Sequence, residues 1–265
     1  MNSKPLILGH RGASAVAPEN TVAAFSRAMR DGADGIEFDV RLSRDQVPIV
    51  IHDASLRRTG LTDKLVGELT AKELQRIDVG HWFGSGSKKS AHAPPVSYSG
   101  ESVPTLAQIL ELFRDNNGLL YVEMKCGLQE GAALAGEVVR ATHESQMADR
   151  VVVESFDLSA VAAVKRIDAK IRTAALFEPK LSRPISTLRR LRLVDLAREC
   201  GAEEMALNHT LVSARLIEKA KAEGLETVVW TVDDLGWISR ARSMGIKALI
   251  ANNPALMVRH RNGLA

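Results

Sequence analysis

Short apolar runs rich in Val, Ile and Leu alternate along the chain with longer segments of helical period, the pattern of βα units around a parallel sheet. Eight runs read as strands: Leu6–Gly9, Gly35–Val40, Leu119–Lys125, Val151–Ser155, Thr173–Phe177, Glu204–Leu207, Glu226–Val232 and Ala248–Ala251. Helical period falls between them at Thr21–Arg30, Gly131–Glu144, Leu158–Ile167, Ile185–Cys200, Ala214–Glu223 and Leu235–Met244. Eight strands with intervening helices predict a closed (β/α)8 TIM barrel rather than an open sheet. Such barrels often run to about 250 residues as one domain, so residues 1–265 read as a single domain.

One unit departs from the pattern. After the strand at Gly35 comes a further apolar run, PIVIHD, and then an irregular insertion from Ala54 to Pro104. Its second half, GSGSKKSAHAPPVSYSG, has neither helical nor strand period, and long loops within compact domains tend to be functional lids. The insertion holds Trp82, Phe83 and Tyr98. It emerges beside His52, so it is expected to cover part of a site at the strand ends, with Trp82 and Phe83 as an apolar wall. The alternative is that both rings anchor the loop to the barrel rim.

Composition narrows the classes. Hydrophobic residues at 45% and charged residues at 25% are ordinary globular usage, and 35 Lys+Arg against 32 Asp+Glu leave a net charge of +3, which excludes a polycation or an acidic tail. Arg183, Arg189, Arg190, Arg192 and Arg198 read as the solvated face of one outer helix, not as a nucleic-acid surface. The sequence GSGSKK at Gly84 has no strand before it or helix after it, so it is not a phosphate-cradling loop. Two cysteines, Cys126 and Cys200, make neither a disulfide framework nor a cysteine zinc site. The apolar run Leu6 to Leu8 is too short for a secretory signal, and no run approaches the roughly 18 apolar residues of a spanning helix. A cytoplasmic protein is expected.

Charge enters where the strands should be apolar. In GIEFDV, alternation puts Ile36, Phe38 and Val40 on one side and Glu37 with Asp39 on the other; YVEMK repeats this with Glu123 and Lys125 inward. Carboxylates crowded inside a barrel need cations. One reading is an ion-pair network using Arg11, Arg41 or Lys125. The other is a divalent-metal site, and oxygen-only donors favour a hard ion such as Mg²⁺ or Ca²⁺. His10 closes PLILGH and His52 closes PIVIH. A lone histidine there is often a plain core residue. A pair at strand C-termini, beside carboxylates, sits where barrel enzymes place proton-transfer groups. His209, after the sixth strand, could also reach the mouth.

The stretch GHRGASAVAPENTVAAFSRAMRDGADGIEFDVRLSRDQVPIVIHD closely resembles the signature of the glycerophosphodiester phosphodiesterase family, a metal-dependent TIM-barrel group, and the match continues through VPTLAQIL, YVEMK, ESFD and TVVWTVDD. The resemblance implies hydrolysis of glycerophosphodiesters to glycerol 3-phosphate and an alcohol, with small-molecule substrates and one divalent cation, Mg²⁺ or Ca²⁺. By it, His10 and His52 look like the acid/base pair, and Glu37, Asp39 and Glu123 like the metal ligands. Arg11 matches a phosphate-binding position, Lys125 a phosphate-contacting lysine, Glu19 and Asn20 of PENT match family site residues, and Trp230 lines the pocket. Glu19 and Asn20 could instead serve the first turn and N-cap of the next helix, and Trp230 could be core. A lysophospholipase D and a non-catalytic glycerophosphodiester-binding barrel are the alternatives in function. The chain departs from the family's ITDRP or ITNRP at the last strand, reading IANNP with Ala251 and Asn253 while Asn252 still matches, and has Asn208-His209 where Asn-Pro is frequent. These changes bear on substrate preference more than on chemistry.

Overall fold

A computed structural model describes residues 4–83, 97–127, 130–179 and 187–263, without the side chains of 187–190. Among the described residues nine strands form one sheet: β1 (Leu6–His10), β2 (Gly35–Leu42), β3 (Pro48–Val50), β4 (Leu119–Met124), β5 (Val151–Ser155), β6 (Arg172–Phe177), β7 (Glu204–Asn208), β8 (Glu226–Trp230) and β9 (Ala248–Ala251). Eight are parallel in the order β1-β9-β8-β7-β6-β5-β4-β2, and β1 pairs with β2 to close the barrel. The eight predicted runs are these eight strands. The run PIVIH supplies β3, which folds back antiparallel onto β2 with Val40 opposite Val50.

The helices are α1 (Val22–Arg30), α2 (Ala71–Leu74), α3 (Leu106–Leu112), α4 (Gly131–Glu144), α5 (Leu158–Ile167), α6 (Thr187–Glu199), α7 (Ala214–Ala222), α8 (Gly236–Met244) and α9 (Pro254–Arg261). Six match the predicted segments, the start of the Ile185 segment lying outside the described residues. Sequence periodicity missed α2, α3 and α9 because they are short. Their caps are nevertheless well made: Thr105 accepts from the Gln108 N–H while the Gln108 side chain accepts from the Thr105 N–H, and Asn253 caps α9 ahead of Pro254.

Alternation sorts the strand residues into two cores. Ile36, Phe38, Val40, Val122 and Met124 face outward against Phe25, Ile109, Leu110 and Val138 of the surrounding helices. Leu8, Tyr121, Val152, Ala174, Ala206, Val228, Ala248 and Ile250 fill the barrel interior. Beneath that plug, at the strand N-termini, Glu204 is fully buried: Tyr121 Oη donates to its Oε2 at 2.7 Å, while Arg172 and Lys247 reach its Oε1 at 2.8 and 2.7 Å. Both cations also bridge to Glu226.

The described parts of the insertion hold more structure than their sequence suggests. Ile49, Ile51, Leu56, Val66, Leu74, Val79 and Val103 make an apolar cluster of their own beneath it. The Asp78 carboxylate accepts from the N–H groups of Gly80, His81 and Gly100, each at 2.9 Å. Residues 84–96, including GSGSKK and most of the proposed lid loop, lie outside the described residues, as does Arg183. On α6, Arg192 and Arg198 are exposed and pair with Glu199 and Glu223. Both cysteines are free. Among the described residues no helix is long and apolar enough to cross a membrane.

Candidate active site at the barrel mouth

The chain leaves β1 at His10 through two left-handed residues, Arg11 (φ 53°) and Gly12 (φ 83°). Glycine is required at the second, since a Cβ there would lie 2.6 Å from the Ala24 carbonyl carbon. The non-glycine strain at Arg11 aims its N–H at Glu37 Oε2, 3.1 Å away, and its side chain across the mouth. Arg11 then pairs with Glu19 at 2.8 Å and Asp39 at 3.2 Å.

Glu37 and Asp39 point inward two residues apart on β2, and Glu123 lies in register with Asp39 across β4. All three are buried, and one oxygen of each lies within 4.8 Å of the others. Glu154 follows in register on β5, equally buried. Lys125, just beyond β4, sets its ammonium 2.6 Å from Glu123 and 3.3 Å from Asp39. Arg41 is spent on main-chain carbonyls, those of His52 (2.7 Å) and Lys125 (3.2 Å). Four carboxylates thus face two cations, an excess of negative charge. Burial opposes ionisation of Asp39, but Arg11 and Lys125 hold its pKa down at about 2. Burial and the Asp39 charge push Glu123 up to about 8, and burial with the neighbouring carboxylates lifts Glu37 and Glu154 well above the usual range. An all-oxygen, buried, under-compensated cluster fits a hard divalent cation.

Both histidines are held by Nδ1. His10 Nδ1 lies 2.7 Å from Asn252 Oδ1, and Asn252 Nδ2 donates to Asp233 Oδ2 at 2.7 Å. His52 Nδ1 lies 2.6 Å from Asp53 Oδ1. Asp53 accepts in turn from Arg58 (2.7 Å), and Arg58 grips both oxygens of Glu19 (2.7 Å each), completing a chain from His52 to Arg11. Burial, together with the nearby Arg11 guanidinium, lowers the pKa of both imidazoles.

Glu19 and Asn20 are therefore not capping residues. Thr21 caps α1 through its hydroxyl, whereas Asn20 donates to Asp39 Oδ2 at 2.8 Å. Asp53, Arg58, Asp233, Glu154 and Phe156 were missed by sequence reading. Asp53 and the ESFD run lay beside residues already singled out, but nothing local marks which side chain they hold.

His10, Arg11, His52, Lys125, Phe156 and Trp230 are among the residues that line one cavity of about 240 Å³. Its apolar wall corrects the expectation for Trp82 and Phe83, which are not among its lining residues. Those rings pack edge-on against each other at 5.6 Å, Phe83 packs likewise on Tyr98, and Tyr98 Oη donates to the Val16 carbonyl at 2.9 Å, pinning the insertion to the rim. The wall is instead Phe156 against Trp230, edge-on at 5.5 Å, with Leu176 and Ile250. His209 packs on Trp237 and does not line the cavity.

Fold and site together define a TIM-barrel enzyme whose C-terminal mouth combines buried carboxylates, two cationic side chains and two oriented imidazoles. The chain belongs to the glycerophosphoryl diester phosphodiesterase family, whose profile matches residues 10–256. It is 30% identical to a glycerophosphodiester phosphodiesterase of Caldanaerobacter subterraneus subsp. tengcongensis over 255 residues, covering 96% of this chain and 97% of the relative. The crystal structure of glycerophosphodiester phosphodiesterase from Agrobacterium tumefaciens superposes with a TM-score of 0.76 at 26% identity, over 96% of this chain and 98% of that one. An Oleispira antarctica phosphodiesterase, solved in complex with the product sn-glycerol-3-phosphate, shares the fold with a TM-score of 0.83 at 23% identity, over 98% and 97% of the two chains.

Proposed function

We propose that this protein hydrolyses glycerophosphodiesters to glycerol 3-phosphate and an alcohol in a metal-dependent reaction, with His10 and His52 as the proton carriers. The observation that carries the reading is the cluster of Glu37, Asp39 and Glu123 beside one cavity that Arg11, Lys125 and two imidazoles, each anchored at Nδ1, help to line. Glu37, Asp39 and Glu123 would hold a divalent cation, Mg²⁺ or Ca²⁺, which would supply positive charge to the phosphoryl chemistry.

The protein's own groups divide the remaining work. Arg11 and Lys125 neutralise the non-bridging oxygens as charge builds in the transition state. Glu19 and Asn20 hold Arg11 and Asp39 in place. Asn252 Nδ2 is committed to the Asp233 carboxylate, so Asn252 Oδ1 faces His10 as an acceptor and the His10 proton resides on Nδ1. Nε2 of His10 then carries a lone pair and takes the proton of the attacking oxygen. Burial lowers the His52 pKa overall, but the Asp53 carboxylate on Nδ1 opposes that lowering and fixes the ring, and His52 is assigned to deliver the proton to the departing alkoxide. The Phe156–Trp230 corner excludes water from one side of the cavity.

The test is a turnover screen of glycerophosphocholine, glycerophosphoethanolamine, glycerophosphoinositol and lysophosphatidylcholine, run after chelation and again with Mg²⁺ or Ca²⁺. Cation-dependent release of glycerol 3-phosphate is expected. Full activity without a cation would remove the metal from the reading, and turnover of lysophosphatidylcholine alone would replace it with the lysophospholipase D alternative.

A further inference from the structure

Arg58, in the insertion, is not among the residues that line the cavity, yet its guanidinium is bound along two edges. Nε donates to Asp53 Oδ2 at 2.7 Å, and Nη1 and Nη2 donate to the two oxygens of Glu19, each at 2.7 Å. The guanidinium carbon also lies over the Trp82 ring, 5.8 Å from its centroid. Each carboxylate has a second partner at the mouth. Asp53 Oδ1 meets His52 Nδ1 at 2.6 Å, and Glu19 Oε1 accepts from Arg11 Nη1 at 2.8 Å. Arg58 is therefore a joint between His52, just beyond β3, and Arg11, just beyond β1.

The chemistry of this joint calls for arginine. A planar guanidinium presents two parallel donors to one carboxylate and a third, at a fixed angle, to another, whereas an ammonium is a single point of charge that cannot hold both in register. Burial opposes ionisation of Asp53, but the bonds from Arg58 and His52 keep its pKa low, so Asp53 accepts and the His52 proton on that side resides on Nδ1. That leaves Nε2 of His52 for the reaction. The same clamp turns Glu19 toward Arg11 and fixes where the Arg11 guanidinium lies. His10 is held by a different pair, Asn252 and Asp233, and so provides an internal control.

Building on the function proposed above, we propose that Arg58 is a positioning residue that fixes the His52 imidazole through Asp53 and the Arg11 guanidinium through Glu19, so that proton delivery and phosphate binding keep one geometry. The insertion thereby acts on the reaction from outside the cavity. A displacement of about 1 Å in a group that is not itself replaced can cost about 100-fold in rate, so the joint is visible in kinetics.

The experiment compares glycerophosphocholine, whose alkoxide needs a proton to leave, with the nitrophenyl diester of glycerol 3-phosphate, which hardly needs one, in the wild type, Arg58→Ala and Arg58→Lys, each loaded with divalent cation. Arg58→Ala should lower kcat on the choline diester by about 100-fold. The loss on the nitrophenyl diester should be smaller by about tenfold or more, because the His52 share of the defect drops out. KM should rise on both diesters through Arg11, and in a Glu19→Gln background Arg58→Ala should raise it no further. Arg58→Lys keeps the charge and should keep the melting temperature, but not kcat. Equal kcat losses on the two diesters, additive KM effects with Glu19→Gln, or full recovery by lysine would overturn the proposal. If the alanine variant does not fold, the lysine variant still decides, since it too gives up one of the two carboxylates. NMR of the imidazole nitrogens separates the clamp from the proposed reaction. Neutral His52 should hold one tautomer in the wild type and average two in Arg58→Ala, with His10 unchanged. That result in a protein that hydrolyses neither diester would retire the reaction and keep the clamp, whereas an unchanged His52 signal would retire the clamp.

Discussion

The two ends of the barrel solve the same problem in opposite ways. At the strand N-termini, Glu204 is fully buried yet both its oxygens are occupied, by Tyr121 on one side and by Arg172 and Lys247 on the other, with Glu226 sharing the cations. At the C-termini, Glu37, Asp39, Glu123 and Glu154 crowd around two cations, and burial with mutual repulsion lifts three of the four pKa values. One end is saturated and the other is short of positive charge and donors. A folded protein tolerates such a deficit where a ligand makes it up, so the contrast separates the end that holds the barrel together from the end that binds.

The sharpest way to break this comparison is to neutralise a mouth carboxylate. Glu123→Gln should lower kcat/KM by about 10³-fold or more if the cation and phosphate chemistry depend on it. The same change relieves repulsion in the cation-free protein, so its melting temperature should hold or rise, and the upward shift on adding Mg²⁺ or Ca²⁺ should shrink. A lower melting temperature with wild-type turnover would assign the mouth a structural role. The reverse is expected at the other end. Glu204→Leu leaves Tyr121, Arg172 and Lys247 without their shared acceptor and should cost about 3–5 kcal/mol of unfolding free energy by denaturant titration, with kcat/KM changed little in the folded fraction. A Glu204→Leu protein of unchanged stability would show that saturation at this end counts for nothing.

Smaller changes refine the picture. Tyr121→Phe removes one hydrogen bond to a carboxylate that keeps two cations, and should cost about 1–2 kcal/mol with activity intact. Burial and the Glu204 charge raise the Tyr121 pKa well above that of a free tyrosine, so its hydroxyl stays a donor through the accessible alkaline range and this bond should not titrate there. At the mouth, burial and Arg11 lower the His10 pKa, so the free base persists to lower pH than in an ordinary histidine and the acid limb of kcat/KM should fall below about 6.5. Asn252→Asp places a carboxylate on Nδ1, favours imidazolium and should move that limb up by about one pH unit. An unmoved limb would mean that His10 is not the proton acceptor.

Much of the fold is legible in the chain because barrel strands and helices write their periods locally. The alternation that turns Ile36, Phe38 and Val40 outward necessarily turns Glu37 and Asp39 inward, and the same holds for Glu123; any closed parallel barrel would gather them. The short helices α2 and α3 left too few residues for a period to show, and the insertion's aromatic rings could be placed in it but not aimed. In the fold they pack on one another and on Tyr98, and Arg58 lies over the Trp82 ring.

The sequence by itself thus determined the barrel, its inward carboxylates and His10 at the end of its first strand, all consequences of residue spacing along single strands. Only the tertiary structure decided what each polar group touches. His10 and Asn252 stand 242 residues apart and become partners because β9 closes against β1. Tyr121 and Glu204, 83 residues apart, meet only across the interior of the closed barrel. Nothing in the run VVVES shows that the Glu154 side chain is buried in the closed barrel with Oε2 unpaired. Periodicity fixes which side of a strand a residue faces. The partner across the barrel depends on strand order, register and closure, which are properties of the whole chain.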